Sequence, residues 1–155
     1  MFFISSNEHK NKLMKKVFIE GAITPEFIAE SLAKHQTKHS IGAHNMFLGQ
    51  VRADEVENQK VKGIEYTSYV ELANTQLETI REEAFQKFNL TCMHIYHSLG
   101  FVAAGEVCLF VFVSASRRKE VYAATEYLVN RVKEEVPIFG KEIFDNETHQ
   151  WKINQ

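Results

Sequence analysis

The stretch TCMHIYHSLGFVAAGEVCLFVFVSASRR, residues 91–118, decides the fold class. Residues 91–99 and 107–113 are β-branched and aromatic enough to be strands, and Gly100 and Gly105 between them suit an antiparallel return. A helix follows. Ser114 or Ser116 offers a capping hydroxyl, Val121, Ala124, Leu128 and Val132 recur at helical spacing, and Pro137 sets the stop. Two successive strands before a helix break the strict alternation that a doubly wound parallel sheet requires.

The flanking sequence repeats this pattern. Upstream, residues 17–23 read as a short strand, and Thr24-Pro25-Glu26 opens a helix expected to run to about His39 with Phe27, Ile28, Leu32 and His35 on one face. Residues 42–51 and 61–70 read as strands joined by a polar, mobile connection over 54–60. Residues 72–88 read as a helix with Leu72, Leu77, Ile80, Ala84, Phe85 and Phe88 facing a core. Downstream of Pro137, two short strands flank Asp145-Asn146-Glu147. The sum is an α+β fold with a mixed or antiparallel sheet, in a single domain over 17–155. Residues 1–16, polar and Lys-rich, are expected to be a flexible N-terminal extension, with Met14 as an alternative start.

Composition narrows the function classes. In 155 residues, 18 Lys+Arg face 20 Asp+Glu for a net charge of −2, so no bulk cationic field draws the chain to nucleic acid or to a membrane surface. No apolar run is long enough to span a bilayer. Cys92 and Cys108 both stand in apolar runs, where reduced buried thiols are the default and a cytosolic compartment the natural setting.

Phosphate loops, dinucleotide fingerprints, nucleophile elbows and zinc spacings are all missing. Seven histidines raise the question of a metal. His35 and His39, four apart on a helix, are expected to be a solvated pair with no acid or cysteine placed to complete a site. His94 and His97, three apart in a strand, point to opposite faces. No metal and no cofactor is expected.

The cations are more informative. Arg52 follows an apolar strand, and Arg117 and Arg118 stand in the first turn of a helix, where the macrodipole disfavours them unless an anion is bound. Lys133 lies at the edge of the third helix's apolar stripe, and Lys141 follows the proline.

Gly42-Ala43, Phe47-x-Gly49-x-Val51-Arg52, Glu65-Tyr66, Tyr69, His97-x-x-Gly100, Gly105-Glu106, Ser114-x-x-Arg117-Arg118, Lys133, Val136-Pro137-Ile138-Phe139-x-Lys141-Glu142 and Trp151-Lys152 occur in that order. Together they resemble the MoaE family, the large catalytic subunit of molybdopterin synthase, over residues 17–153. The resemblance implies an α/β-hammerhead-like fold with an added antiparallel subdomain. It also implies conversion of cyclic pyranopterin monophosphate, or precursor Z, to molybdopterin by insertion of two dithiolene sulfurs. The sulfur donor would be a small ubiquitin-like subunit of MoaD type ending in a Gly-Gly thiocarboxylate. A homodimer of large subunits would carry one small subunit at each end, making a heterotetramer.

By resemblance, Arg52 lines the substrate pocket with Gln50 and Val51, Arg118 holds the substrate phosphate beside Arg117, and Lys133 is the catalytic residue. Gly140, Lys141 and Glu142 complete the substrate-binding set, with Lys141 a second catalytic candidate. All these cations are expected to gather in one pocket. Two departures from the family pattern stand out: Arg117 replaces the usual histidine, and Gly140 the usual second lysine. In a regular strand Lys141 would point away from Gly140, unless the glycine lets the backbone twist it round. The alternative is a non-catalytic module that holds an anion or an acidic peptide tail with the same cations.

Overall fold

The computed structural model describes residues 17–153, and its centre is a strand buried on both faces. The elements in chain order are β1 (Phe18–Glu20), α1 (Pro25–His35), β2 (Ala43–Gln50), β3 (Glu55–Val56), β4 (Gln59–Ser68), α2 (Val70–Lys87), β5 (Cys92–Ala103), β6 (Val107–Ala115), α3 (Arg118–Glu135), β7 (Ile138–Phe144) and β8 (His149–Trp151). The central strand is β6. Leu109, Val111, Val113 and Ala115 point to one face and meet Ala73, Leu77, Ile80 and Ala84 of α2 and Val121, Ala124, Leu128 and Val132 of α3. Phe110 and Phe112 point to the other and meet Ile23 together with Phe27, Ile28 and Leu32 of α1. Burial on both faces is why this strand reads as an unbroken apolar run.

The strand order is β2-β6-β5-β4-β7-β8, with β1 on β5 and β3 on β4. Only the β1–β5 pairing is parallel among these ladders, so the sheet is mixed, as expected for the α+β class. Strand β5 belongs to two wings. Cys92 to His97 pair with β6, whereas Gly100 to Ala103 pair with β4. Gly100, placed in a loop by the sequence reading, is a bend inside the strand: its φ is +79°, and a Cβ there would lie 2.3 Å from a Glu20 carboxylate oxygen. The return to β6 is made at Ala104 to Glu106 instead.

Other expectations need adjustment. The polar connection over 54–60 is an ordered hairpin, β3 against the start of β4, turned by Glu57 and Asn58 with φ of 50° and 64°. Helix α1 is capped by the Thr24 hydroxyl, which accepts from Phe27 N–H at 3.1 Å, but it stops at His35 rather than His39. On α2 the stripe starts at Ala73, leaving Leu72 half exposed. Neither serine caps α3; Ser114 is buried in β6 beside His44, and Arg117 occupies the cap position without a side-chain cap bond. The two closing strands β7 and β8 stand where expected, flanking the turn at Asp145-Asn146-Glu147. The extension over 1–16 and Met14 lie outside the described residues.

None of the described helices is long and apolar enough to cross a membrane.

Candidate active site

Pairing of β4 with β7 sets Tyr66 opposite Gly140 and Ile64 opposite Glu142, so these four residues share one face. The next strand, β5, brings His97 against Tyr66, ring centroids 4.9 Å apart and nearly perpendicular. Cys108 of β6 lies beside Tyr66 and donates its thiol to Gly49 O at 3.4 Å. Lys133, in the last turn of α3, is exposed and near enough to His97 for its ammonium to act on the imidazole. Cys108, Tyr66, Glu142, His97 and Lys133 thus lie near one another at this end of the sheet.

His97 is buried, Tyr66 half-buried and Lys133 exposed, and burial is what most shifts the first two. Burial is the main cause that lowers the His97 pKa to about 4, and the Lys133 ammonium lowers it further, against the opposing hydrogen bond from Nδ1 to Ser98 O at 2.8 Å. Burial, Cys108 and the Glu142 carboxyl push the Tyr66 phenol well above its ordinary value. At neutral pH His97 is therefore uncharged.

This makes folding stability pH-dependent in a defined direction. The unfolded imidazole takes its proton near 6.5 and the folded one only near 4, so between those values the unfolded chain binds more protons and stability is lost as the pH is lowered. Denaturant unfolding at about pH 7 and about pH 4.5 is expected to differ by an amount on the order of 2–3 kcal/mol from this group. The variant His97→Gln is expected to flatten the slope; an unchanged slope would assign the sensitivity to other groups.

The expected site residues divide into three sets. Lys133, Gly140 and Glu142 border the Tyr66–His97 pair. Arg52 leaves the sheet at the same end, exposed and 3.3 Å from Asp54, an ion pair too solvated to hold it. Gln50 is exposed beside it. Val51 does not face a ligand: its side chain is in the core, and its N–H and C=O bond Glu106 O and Gly105 N–H at 3.0 and 2.8 Å. Its part is to fix the path on which Arg52 emerges.

Lys141 is on the reverse face. It pairs with Glu65, its Nζ lies 3.9 Å from Glu65 Oε2 and 6.0 Å from the Trp151 ring, and no twist at Gly140 brings it round. Strand alternation holds because Gly140 keeps its place in the ladder opposite Tyr66, and its C=O accepts from Lys152 N–H at 2.8 Å. A Cβ at Gly140 would sit 3.2 Å from Tyr66 Cε1 and 3.0 Å from Ile64 Cγ2, so the missing side chain leaves Tyr66 its room.

Arg117 and Arg118 are elsewhere. Both are exposed at the opposite end of the sheet, where β2 begins opposite Ala115. Arg118 opens α3 and Lys133 closes it, a separation of about 22 Å at 1.5 Å per residue. The cations expected in one pocket therefore split between two ends of the molecule. Gly42 defines the arginine end, since a Cβ on it would meet the Ser116 carbonyl oxygen at 2.2 Å, a contact that lets this backbone pass close before Arg117.

Sequence reasoning missed the meeting of Lys133 with His97, and of His97 with Tyr66 and Cys108 beyond it, because it depends on sheet register. Of the two readings of His35, on the apolar face of the helix and in a solvated pair with His39, the first holds: His35 is buried and its Nε2 meets His94 Nε2 at 2.9 Å. The helix ends before His39, so the two histidines do not share a helical face.

A sequence model described as the MoaE protein matches residues 23–135. The molybdopterin synthase catalytic subunit of Emericella nidulans is 36% identical over 122 residues, 79% of this chain, and the match spans 62% of that longer protein. That of Pyrococcus abyssi is 35% identical over 120 residues, covering 77% of this chain and 80% of its own. Among solved structures, molybdopterin synthase from Staphylococcus aureus superposes with a TM-score of 0.76 at 28% identity, covering 90% of this chain and 97% of that one. A complex of subunits 1 and 2 of the molybdopterin-converting factor from Helicobacter pylori shares the fold, with a TM-score of 0.75 at 21% identity over 90% of each chain.

Proposed function

The chain belongs to the MoaE family, and on that premise we propose that it is the catalytic subunit of a molybdopterin synthase. In this reading it takes part in molybdenum cofactor biosynthesis in the cytoplasm, converting precursor Z to molybdopterin. Each of two transfers moves one sulfur from the C-terminal thiocarboxylate of a small MoaD-type subunit to the pterin. The observation that carries the reading is Lys133 beside the buried His97, whose ring packs on the half-buried Tyr66, at the end of the sheet where Arg52 emerges. A phosphorylated pterin and an anionic thiocarboxylate repel each other, and fixed cations are what allow them to share a site.

Lys133 is assigned to the tetrahedral intermediate of acyl–sulfur cleavage, as proton donor or as transient acyl acceptor. Arg52 is assigned to the pterin side. Arg118, with Arg117 beside it, is assigned to the substrate phosphate, and the separation of about 22 Å along α3 supports a pocket whose Lys133 comes from another copy. A two-fold dimer that sets the start of α3 of one protomer near the end of α3 of its partner completes two identical sites. Lys141, turned toward Glu65 and Trp151, is left out of the chemistry.

Incubation with precursor Z and the thiocarboxylated small subunit is expected to yield molybdopterin, read as its fluorescent oxidised derivative. Binding of both partners without product would favour the second reading, a non-catalytic anion- or tail-binding module. Gly140 and Arg117, which replace a lysine and a histidine of the family pattern, are what support that reading.

A further inference from the structure

Where α1 ends against β5, three ligand-type side chains from two elements meet. Besides the His35–His94 contact at 2.9 Å, Cys92 Sγ joins the two imidazoles in a group whose ligand atoms all lie within 4.8 Å of one another. Local structure explains the convergence. Cys92 and His94 are two apart on β5 and share a face, the face opposite to His97. His35 is the last residue of α1 and packs its ring 4.7 Å from Phe112.

The protonation of His35 is fixed by its other nitrogen. Nδ1 lies 2.7 Å from Ser31 O, and because a carbonyl only accepts, Nδ1 carries the proton and Nε2 presents a lone pair to the cluster. Histidines that bind metals are oriented in this way, with a backbone carbonyl behind the ring. The Lys38 ammonium donates to Cys92 Sγ at 2.8 Å, and Lys38 is exposed, free to turn to solvent when a cation takes the sulfur lone pair.

We propose that His35, Cys92 and His94 bind a divalent transition-metal ion of the zinc type, with a fourth position left to water. Two imidazole nitrogens and one thiolate suit a borderline-soft ion and disfavour calcium or magnesium. Metal–nitrogen and metal–sulfur bonds of about 2.0 and 2.3 Å place tetrahedral ligand atoms about 3.3–3.6 Å apart. The group, with its nitrogens at 2.9 Å and all atoms inside 4.8 Å, reaches that spacing by side-chain rotation of about an ångström. As the ion binds, the thiol proton leaves to solvent and His94, which donates its Nε2–H to His35 in the metal-free cluster, becomes the Nδ1–H tautomer, freeing Nε2. Entry is open, because His35 and His94 also line a cavity of about 540 Å³ whose wall includes Phe27, Lys34 and Tyr96. The bound ion ties the end of α1 to β5.

The test is a titration of the full chain with Co²⁺ as a spectroscopic substitute and with Zn²⁺ against a chromophoric chelator. One ion per chain is expected, with a thiolate-to-cobalt charge-transfer band that Cys92→Ser abolishes. Cys92→Ser and His35→Gln are each expected to weaken Zn²⁺ binding about a hundredfold or more. Absence of binding, a cobalt spectrum without that band, or wild-type affinity in Cys92→Ser would overturn the proposal. Because His35 is buried and its variant can fail to fold, X-ray absorption on the zinc-loaded, unsubstituted protein gives a reading free of mutation. One sulfur and at least two nitrogens around zinc are expected, and a shell of nitrogen and oxygen alone would refute the site.

Discussion

Lys133→Ala is expected to lower molybdopterin formation by about a thousandfold, the scale of a lost proton donor or intermediate-stabilising cation. The melting temperature is expected to stay within a few degrees of wild type, because Lys133 is exposed while the apolar stripe of α3 is carried by Val121, Ala124, Leu128 and Val132. Single-turnover assay with preformed thiocarboxylated partner separates this from weaker binding. Lys133→Arg sharpens the result: arginine keeps the charge but neither gives up a proton at neutral pH nor accepts an acyl group readily. Recovery by arginine would reduce the role of Lys133 to charge alone, and a wild-type rate in Lys133→Ala would remove it from the chemistry.

Arg118→Ala is also expected to be nearly inactive on its own, yet to rescue Lys133→Ala when the two are mixed. Each site in the proposed dimer takes Lys133 from one protomer and Arg118 from the other, so a mixed dimer rebuilds one intact site and leaves the second doubly defective. With random subunit exchange, half of the dimers are mixed, and activity is expected to return to about a quarter of wild type. Size-exclusion chromatography before and after exchange confirms that dimers are being compared. A mixture as inactive as its components would mean that both residues act in the same protomer, and an active Arg118→Ala on its own would place Arg118 outside the site.

Much of the fold was legible because its signals are local. Thr24-Pro25-Glu26 starts α1, Pro137 stops α3, and the apolar run of β6 announces a strand covered on both faces. The errors fall where a local signal has two meanings. Gly100 reads as a loop residue, but a left-handed glycine can equally bend a strand that continues. Leu72 reads as core because it is apolar, although the stripe of α2 begins at Ala73; Leu77, Ile80 and Ala84 are buried as the spacing predicts. After Leu32 the chain turns polar without a glycine or proline, so nothing local marks the end of α1 at His35.

The site was less legible than its cations. Arg52, Arg118 and Lys133 could be picked out as charges at element ends, but whether they converge depends on strand direction and helix length. An antiparallel β2–β6 pair and an 18-residue α3 put the arginine pair and the lysine at opposite ends. The neighbours of Lys133 follow from register, Tyr66 opposite Gly140 and His97 on the adjoining strand, and no periodicity reports register. The Cys92-x-His94 alternation was visible, but its third member lay nearly sixty residues away on a helix whose end was misplaced.

The pairing of β4 with β7 also has a consequence for synthesis. Ser68 meets Ile138, so the outer edge of β4 has no partner until a further seventy or so residues have been made. A nascent chain therefore carries an exposed strand edge beside an already apolar core, the condition in which intermolecular pairing competes with folding. The long loop makes this closure slow compared with formation of the neighbouring β5–β6 hairpin. A pause in translation before residue 138 would leave this edge of β4 open.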